Sequence, residues 1–346
     1  YEIYAAVFVD GEGWRQLDGS AGDGGVSRTA RASRRPAVAL DADGDPIIAW
    51  TEFTDAGSHI RAAAWDPDAD SGDGAWIALG DSLGETGVSG AGRADHATIL
   101  VTDSGPVLGW LSDATTNPRA QTSRFSEGAW QDLDGAGLSA PGSDAAELTL
   151  ASNGAALAAA WTRPVDGVRE VYLAEYDGAG WSEVNGSRSE RGVSNTGTPS
   201  VAPTVAYHDG QLYVAWQEQT TTGLADVRAA RAVGTGWQPL DTGARTGIGV
   251  SHVSDASSQP TLVSNGTDLY LAYATDARTA VEDQTPVLIV RTWDGEAFSE
   301  PVEGGAGYGG VLSAASPVDD YVVTLDAAGR PFAAWTERTN ALTEIM

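Results

Sequence analysis

The chain repeats itself. One phrase recurs six times, as PAVALDADGDPIIAW ending at Trp50, ATILVTDSGPVLGW at Trp110, LTLASNGAALAAAW at Trp161, PTVAYHDGQLYVAW at Trp216, PTLVSNGTDLYLAY at Tyr273 and YVVTLDAAGRPFAAW at Trp335. In each, two alternating apolar runs flank a Gly, mostly with Asp or Asn beside it, the chemistry that tolerates positive φ in a tight turn. A second phrase interleaves with the first: IYAAVFVDGEGWRQL ending at Leu17, IRAAAWDPDADSGDGAWIAL at Leu79, RAQTSRFSEGAWQDL at Leu133, VYLAEYDGAGWSEV at Val184, VRAARAVGTGWQPL at Leu240 and VLIVRTWDGEAFSEP at Pro301. Each phrase predicts a β-hairpin, so each repeat supplies four strands.

Four strands in roughly fifty to sixty residues are the size of one blade of a β-propeller, where radial stacking buries both faces of each sheet. Six repeats predict an all-β, six-bladed β-propeller with four antiparallel strands per blade, a single domain over 1–346. The chain starts inside the second phrase and stops after the first. The strands Ile3–Val9 and Trp14–Leu17 are therefore expected to complete the blade begun at Tyr321–Trp335, with 1–17 and 319–346 forming a closing blade that protects the sheet edges. All 12 Trp fall on repeat positions, which reads them as packing between blades.

Zero Cys excludes disulfides, thiolate catalysis and the usual zinc sites. No apolar run is long enough to span a membrane. The charge is −28, and all 20 basic residues are Arg. Nucleic acid and anionic lipid are poor partners for such a surface, because their binding depends on cations that neutralise phosphates. The acidity matches a salt-adapted protein, in which salt screens self-repulsion. Because the chain begins inside a repeat without a signal sequence, it is expected to be a segment of a larger extracellular or cell-surface protein. The sequons at Asn185 and Asn265 agree with that address.

The consensus P-x-V-A-x-x-x-x-G-x-x-x-x-A-W followed by W/Y-D-G-x-x-W resembles the degenerate repeats of the sialidase-like, BNR-type propeller superfamily. Asp10-Gly11-Glu12-Gly13-Trp14 and Asp177-Gly178-Ala179-Gly180-Trp181 are vestiges of its Asp box, which is nowhere intact. The resemblance implies the fold, and a superfamily holding sialidases, other glycosidases, lectins and non-enzymatic modules. A sialidase requires three Arg, a Tyr with a partner Glu and an acidic Asp; Arg34-Arg35-Pro36, Arg163 and Arg338 match part of this pattern, and no Tyr-Glu pair is placed beside them.

Loops that meet at the axial mouth of a propeller bind ligands. Here they carry Arg34, Arg35, Arg93, Asp95, His96, Arg163, His252, Asp255 and Arg338, the expected ligand-binding set for a carboxylate or sulfate group. A second loop set brings Glu52, Asp113, Glu218, Asp276 and Glu337, with Glu52–Arg61 and Glu218–Arg228 placed to form cross-strand ion pairs. An Arg, a Glu and an aromatic between blades also resemble the sites of fucose-type propeller lectins. Asp66, Asp68, Asp70 and Asp73 space their carboxylates as a calcium loop does, although Gly72 comes one residue late and no bidentate Glu follows, so Ca²⁺ is the one cofactor the sequence offers. The four His are scattered over four repeats, which disfavours a shared metal. The expected function is a non-catalytic module that recognises a surface glycan or a protein; a sialidase-like glycoside hydrolase or lyase is the alternative.

Overall fold

The computed structural model describes residues 1–22, 24–55, 57–113, 117–133, 138–189, 191–219, 225–240, 250–251, 256–277, 285–299, 318–326, 328–339 and 342–345. Their regular structure is almost wholly β. All twelve hairpins expected from the two phrases are present. The strands β1 (Val7–Val9) and β2 (Gly13–Arg15) form a two-stranded ribbon. A four-stranded meander follows from β3 (Ala32–Leu40), β4 (Pro46–Thr54), β5 (Gly57–Asp66) and β6 (Ala75–Ala78), with one helical turn, α1 (Ala69–Gly72), between the last two. The same order repeats in β7 (Arg93–Thr102), β8 (Gly105–Asp113), β9 (Arg119–Ser126) and β10 (Ala129–Asp132), then in β11 (Ala146–Ser152), β12 (Leu157–Val165), β13 (Val168–Tyr176) and β14 (Trp181–Glu183). Two more sheets complete the set: β15 (Ser200–His208), β16 (Gln211–Gln219), β17 (Ala225–Val233) and β18 (Gly236–Pro239), and β19 (Ser257–Ser264), β20 (Leu269–Ala277), β21 (Thr285–Trp293) and β22 (Phe298–Ser299). The last sheet has three strands, β23 (Val318–Leu325), β24 (Pro331–Thr339) and β25 (Leu342–Ile345). Each four-stranded meander has the strand order of a propeller blade. The chain divides into two compact units, one of Tyr1–Leu157 with Tyr176–Ser182, the other of Ala158–Glu175 with Glu183–Met346.

The hydrophobic repeat explains the packing within each unit. The second strands carry the apolar phrase, and Ile47, Ala49, Ile99, Leu108 and Trp110 of consecutive sheets share one core in the first unit. In the second unit Tyr213, Leu262, Leu271, Tyr273 and Trp293 do the same. Burying an aliphatic or aromatic side chain in this way contributes about 1.5–3 kcal/mol. The Trp that open the fourth strands tie one sheet to its predecessor: the indole N–H of Trp76 donates to the Leu17 carbonyl, that of Trp130 to Leu79 and that of Trp237 to Val184.

Three details lie outside the alternating pattern. First, a Gly-Val-Ser tripeptide after the fourth strand clips the start of the third strand. Val26, Val88 and Val193 donate their N–H groups to the carbonyls of Ile3, Ile60 and Val171, and Ser27, Ser89 and Ser194 accept the N–H groups of the same three residues. Gly25, Gly87 and Gly192 have positive φ, and a β-carbon at any of them would overlap that carbonyl oxygen. Second, a buried Ser three residues past Leu17, Leu79 and Val184, shortly after the fourth strand, bonds back toward the third: Ser20 to the Ala5 carbonyl, Ser82 to Ala62, Ser187 to Leu173. Third, each first strand from β3, β7, β15 and β19 has a bulge, and the bulged residues Arg35, His96, Ala202 and Gln259 have φ of 48–57°. A left-handed backbone at a non-glycine residue is held there by the surrounding ladder.

The expected strand Ile3–Val9 is paired only over Val7–Val9. A third strand takes its ladder bonds from a second strand, and β1 has only β2 beside it in its sheet; Ile3 is held instead by the Val26–Ser27 clip. With both the clip and the Ser20 bond, residues 1–27 reproduce locally the outer half of a complete blade.

Candidate functional site

The mouth loops bring only part of the expected set together. In the first unit Arg35 forms an ion pair with Asp95, whose carboxylate also accepts from the Thr51 hydroxyl at 3.0 Å and from the His96 backbone N–H at 2.8 Å. Burial pushes the Asp95 carboxyl up, but these bonds outweigh it and hold it below the ordinary carboxylate value. The His96 ring lies 3.8 Å from the same carboxylate. Arg34 stacks over Tyr1 at 4.0 Å, and Arg93 is exposed opposite Asp113 in the ladder. Arg35, Asp95 and Arg34 are thus engaged in ion-pair and stacking contacts within the chain. Arg163, in the second unit, stacks on Tyr172 at 4.1 Å. Arg338 pairs with Thr343 along β24 and β25. His252 and Asp255 lie outside the described residues.

Asp66, Asp68, Asp70 and Asp73 shape a turn. Asp66 accepts the Asp68 N–H at 2.9 Å, and Asp70 and Ser71 have positive φ. Among the described residues no three acidic or His side chains are grouped as a cation would require. A Tyr–Glu pair does form, Tyr207 donating to Glu175 at 2.7 Å, with burial and the carboxylate raising the phenol well above its usual value. It sits at the hairpin-turn end of β15, whereas Arg163 lies toward the far end of β12, so the pair belongs to packing.

Both cross-strand ion pairs form, the first buried and the second with its Arg partly exposed. Arg61 Nη2 donates to Glu52 Oε1 at 2.9 Å, and Arg228 Nε lies 3.5 Å from Glu218 Oε1. Around the first pair opens a cleft of about 690 Å³ within the first unit. Its floor is Trp50, Glu52 and Arg61; Trp76 and Leu83 form walls; Arg28, Arg31 and Glu85 stand at the rim. Trp50 precedes Glu52 by two residues on β4 and faces Arg61 of β5 in register, so alternation delivers all three to one place. Arg31 approaches the Glu52 carboxylate to 3.6 Å, and Arg28 is tied to Asp18 at 2.7 Å. Arg61 also donates to the Glu85 carbonyl at 3.3 Å, while its Nη1 is buried without a hydrogen-bond partner. A buried donor of this kind costs about 1–3 kcal/mol unless a ligand or solvent accepts from it. Glu52 and Arg61 were visible in the sequence as a pair; Arg31 and Glu85 come from loops that carry no periodic signal.

No family model matches the chain, and no curated protein matches it. Solved structures do. An α-L-arabinanase from Penicillium chrysogenum, solved with arabinobiose, is 11% identical over 88% of each chain with a TM-score of 0.48. A sialidase from Trypanosoma rangeli is 14% identical, covering all of this chain and 57% of that one, with a TM-score of 0.49. A thermostable family-43 glycoside hydrolase is 11% identical over 82% of this chain and 97% of its own, with a TM-score of 0.41. At such identities none of them assigns a role to a residue of this chain.

Proposed function

We propose that the protein is a six-bladed, sialidase-like β-propeller that recognises surface glycans through the Trp50–Glu52–Arg61 cleft, without catalysis, at the cell surface. The observation that carries the recognition reading is a buried, charge-paired floor with an unused donor, walled by the indole of Trp76 and by Leu83. A small number of placed polar groups among apolar walls is the composition of a ligand pocket. Each acidic group at the floor is already neutralised by Arg, which suits holding a ligand better than moving protons.

Ring closure by 1–17 and 319–346 is supported by the pattern of exposure. Val38 is 63% exposed, whereas residues in the same register of the later first strands, Ile99, Val205, Leu262 and Val323, are 4–9% exposed. Phe332 of β24 is 56% exposed against 0–3% for Ile47, Val107 and Tyr213. The two ends of the array thus show apolar groups whose counterparts named above are buried, as expected if a sixth blade covers them.

A second reading, glycoside hydrolysis, is favoured by the presence of two carboxylates, Glu52 and Glu85, in one cleft, since such reactions commonly use a carboxylate pair. A glycan array and a panel of fluorogenic glycosides, both in molar salt, separate the two. Retention of glycans that is lost in Trp76→Ala, without turnover, supports recognition. Turnover that is lost in Glu85→Gln overturns it.

A further inference from the structure

Resting on the ring-closure reading, we infer that β25 is a displaceable strand. It occupies the edge of β24 that the N-terminal strand takes on closure, so the chain exchanges one for the other as the ring opens and closes. The register fixes the contested place. In three sheets the clipped residue of the third strand lies opposite the residue that follows the strand-ending Trp: Ile60 opposite Thr51, Ala120 opposite Leu111 and Val227 opposite Gln217. Each clipped residue donates its N–H to a Ser hydroxyl and accepts at its carbonyl the N–H of the residue before that Ser. Ile3 makes both bonds, with Ser27 and Val26. Its partner on closure is therefore Thr336, the residue after Trp335. Thr336 is already paired, with Ile345 of β25. Carried outward, the same register gives Glu337 to Glu2 and Arg338 to Tyr1, whereas β25 gives them Glu344 and Thr343. The letters agree with the register, since Glu344-Ile345 repeats Glu2-Ile3.

Both edges are ready for exchange. Along a strand the backbone groups alternate between its two sides, and Ile3 and Ala5 spend theirs on the clip and on Ser20. Among the described residues no hydrogen bond reaches the backbone of Glu2, Tyr4 or Ala6, which lie on the side of the missing second strand. On β24, β25 pairs only from Thr339 to Thr336, and among the described residues nothing else takes that edge beside Phe332–Trp335. Closure sets Tyr4 beside Trp335 and Val7 beside Phe332, as Arg61 lies beside Trp50 and Ala64 beside Ile47. The N-terminal strand therefore docks first on the unclaimed stretch and then takes Thr336, Glu337 and Arg338 from β25 one pair at a time. Either strand satisfies the contested backbone groups, so the exchange leaves no open edge there, and the N-terminal strand makes the longer ladder.

The chain has no Cys, so one engineered pair reports the contested place without background. Glu2→Cys with Glu337→Cys marks the closed state, because residues opposed across a ladder lie within reach of a disulfide. Oxidation is followed on a non-reducing gel, where a chain linked to itself migrates apart from two chains linked together. The internal link is expected to form in the full chain, and about tenfold faster once 342–346 are deleted, the change expected when a competing strand loses one or two net hydrogen bonds. Glu344→Pro, which disfavours strand pairing without shortening the chain, is expected to accelerate it in the same direction. Rates equal to or below that of the full chain in both variants overturn the exchange and leave closure standing. Absence of the link within one chain, with β25 or without it, overturns both.

Discussion

Replacing Phe332 by Ala tests ring closure with a magnitude fixed by the repeat. On the sheet described, Phe332 is 56% exposed, and removing a side chain so placed costs within about 0.5 kcal/mol. Its counterpart Ile47 is 3% exposed and shares a core with Ile99, the counterpart of Val38. If the ring closes as proposed, Phe332 is buried against the first complete blade, and the truncation costs about 3–5 kcal/mol. At about 2.1 cal/mol/K of unfolding entropy per residue, the 346 residues give roughly 1.4 °C per kcal/mol, so the melting temperature falls by about 4–7 °C. Calorimetry in high salt reads this directly. Val38→Ala and the double variant complete a cycle, whose coupling is expected to be about 0.5–3 kcal/mol for side chains in contact. Single effects within 0.5 kcal/mol that add without coupling would refute closure.

The bulge at Ala202 predicts that Ala202→Gly raises stability by up to about 1 kcal/mol in chemical denaturation, because glycine adopts positive φ without the steric cost. Asp177 and Asp326 accept backbone N–H groups in hairpin turns, which lowers both carboxyls, so their contribution is present above the ordinary carboxylate range and lost as pH falls through the depressed value. Asp177→Asn and Asp326→Asn keep an acceptor but cannot titrate, and both are expected to flatten the acid limb of the stability profile measured by denaturant midpoint. Asp45 has the opposite sign: slight burial and the charges of Asp41, Asp43, Asp66 and Asp68 raise it, so Asp45→Asn is expected to stabilise the protein at neutral pH, with the gain vanishing in acid. Arg61→Met leaves the buried Glu52 with only the half-exposed Arg31 at 3.6 Å and is expected to cost up to about 3–5 kcal/mol by the same denaturant assay, with Glu52→Gln in the same chain restoring much of it.

The twelve hairpins were legible because alternation and turn chemistry are local, and each reports itself within about fifteen residues. Glu52 with Arg61 was legible for the same reason, as a cross-strand relation inside one hairpin. The bulge was not, since Arg35, His96, Ala202 and Gln259 share no residue type and the left-handed backbone is imposed by the ladder. The Gly-Val-Ser clip recurs in plain letters, yet it sits in loops without periodicity, and its bonds reach more than twenty residues back to the third strand. The cleft depends on those same loops for Arg31 and Glu85, whereas the expected set was drawn from the mouth loops that carry Arg35 and Asp95. Those two satisfy one another, a relation between neighbouring blades that no single phrase contains.

The indole bonds of the fourth strands have a direction. Trp76 reaches back to Leu17, Trp130 to Leu79 and Trp237 to Val184, so the acceptor always precedes the donor in the chain. On a ribosome, which releases residues from the N-terminus onward, each carbonyl emerges before the indole that needs it. For these three sheets the docking carbonyl is therefore already made when its indole emerges. These bonds give the array a polarity, each sheet being anchored by the one before it and not by the one after.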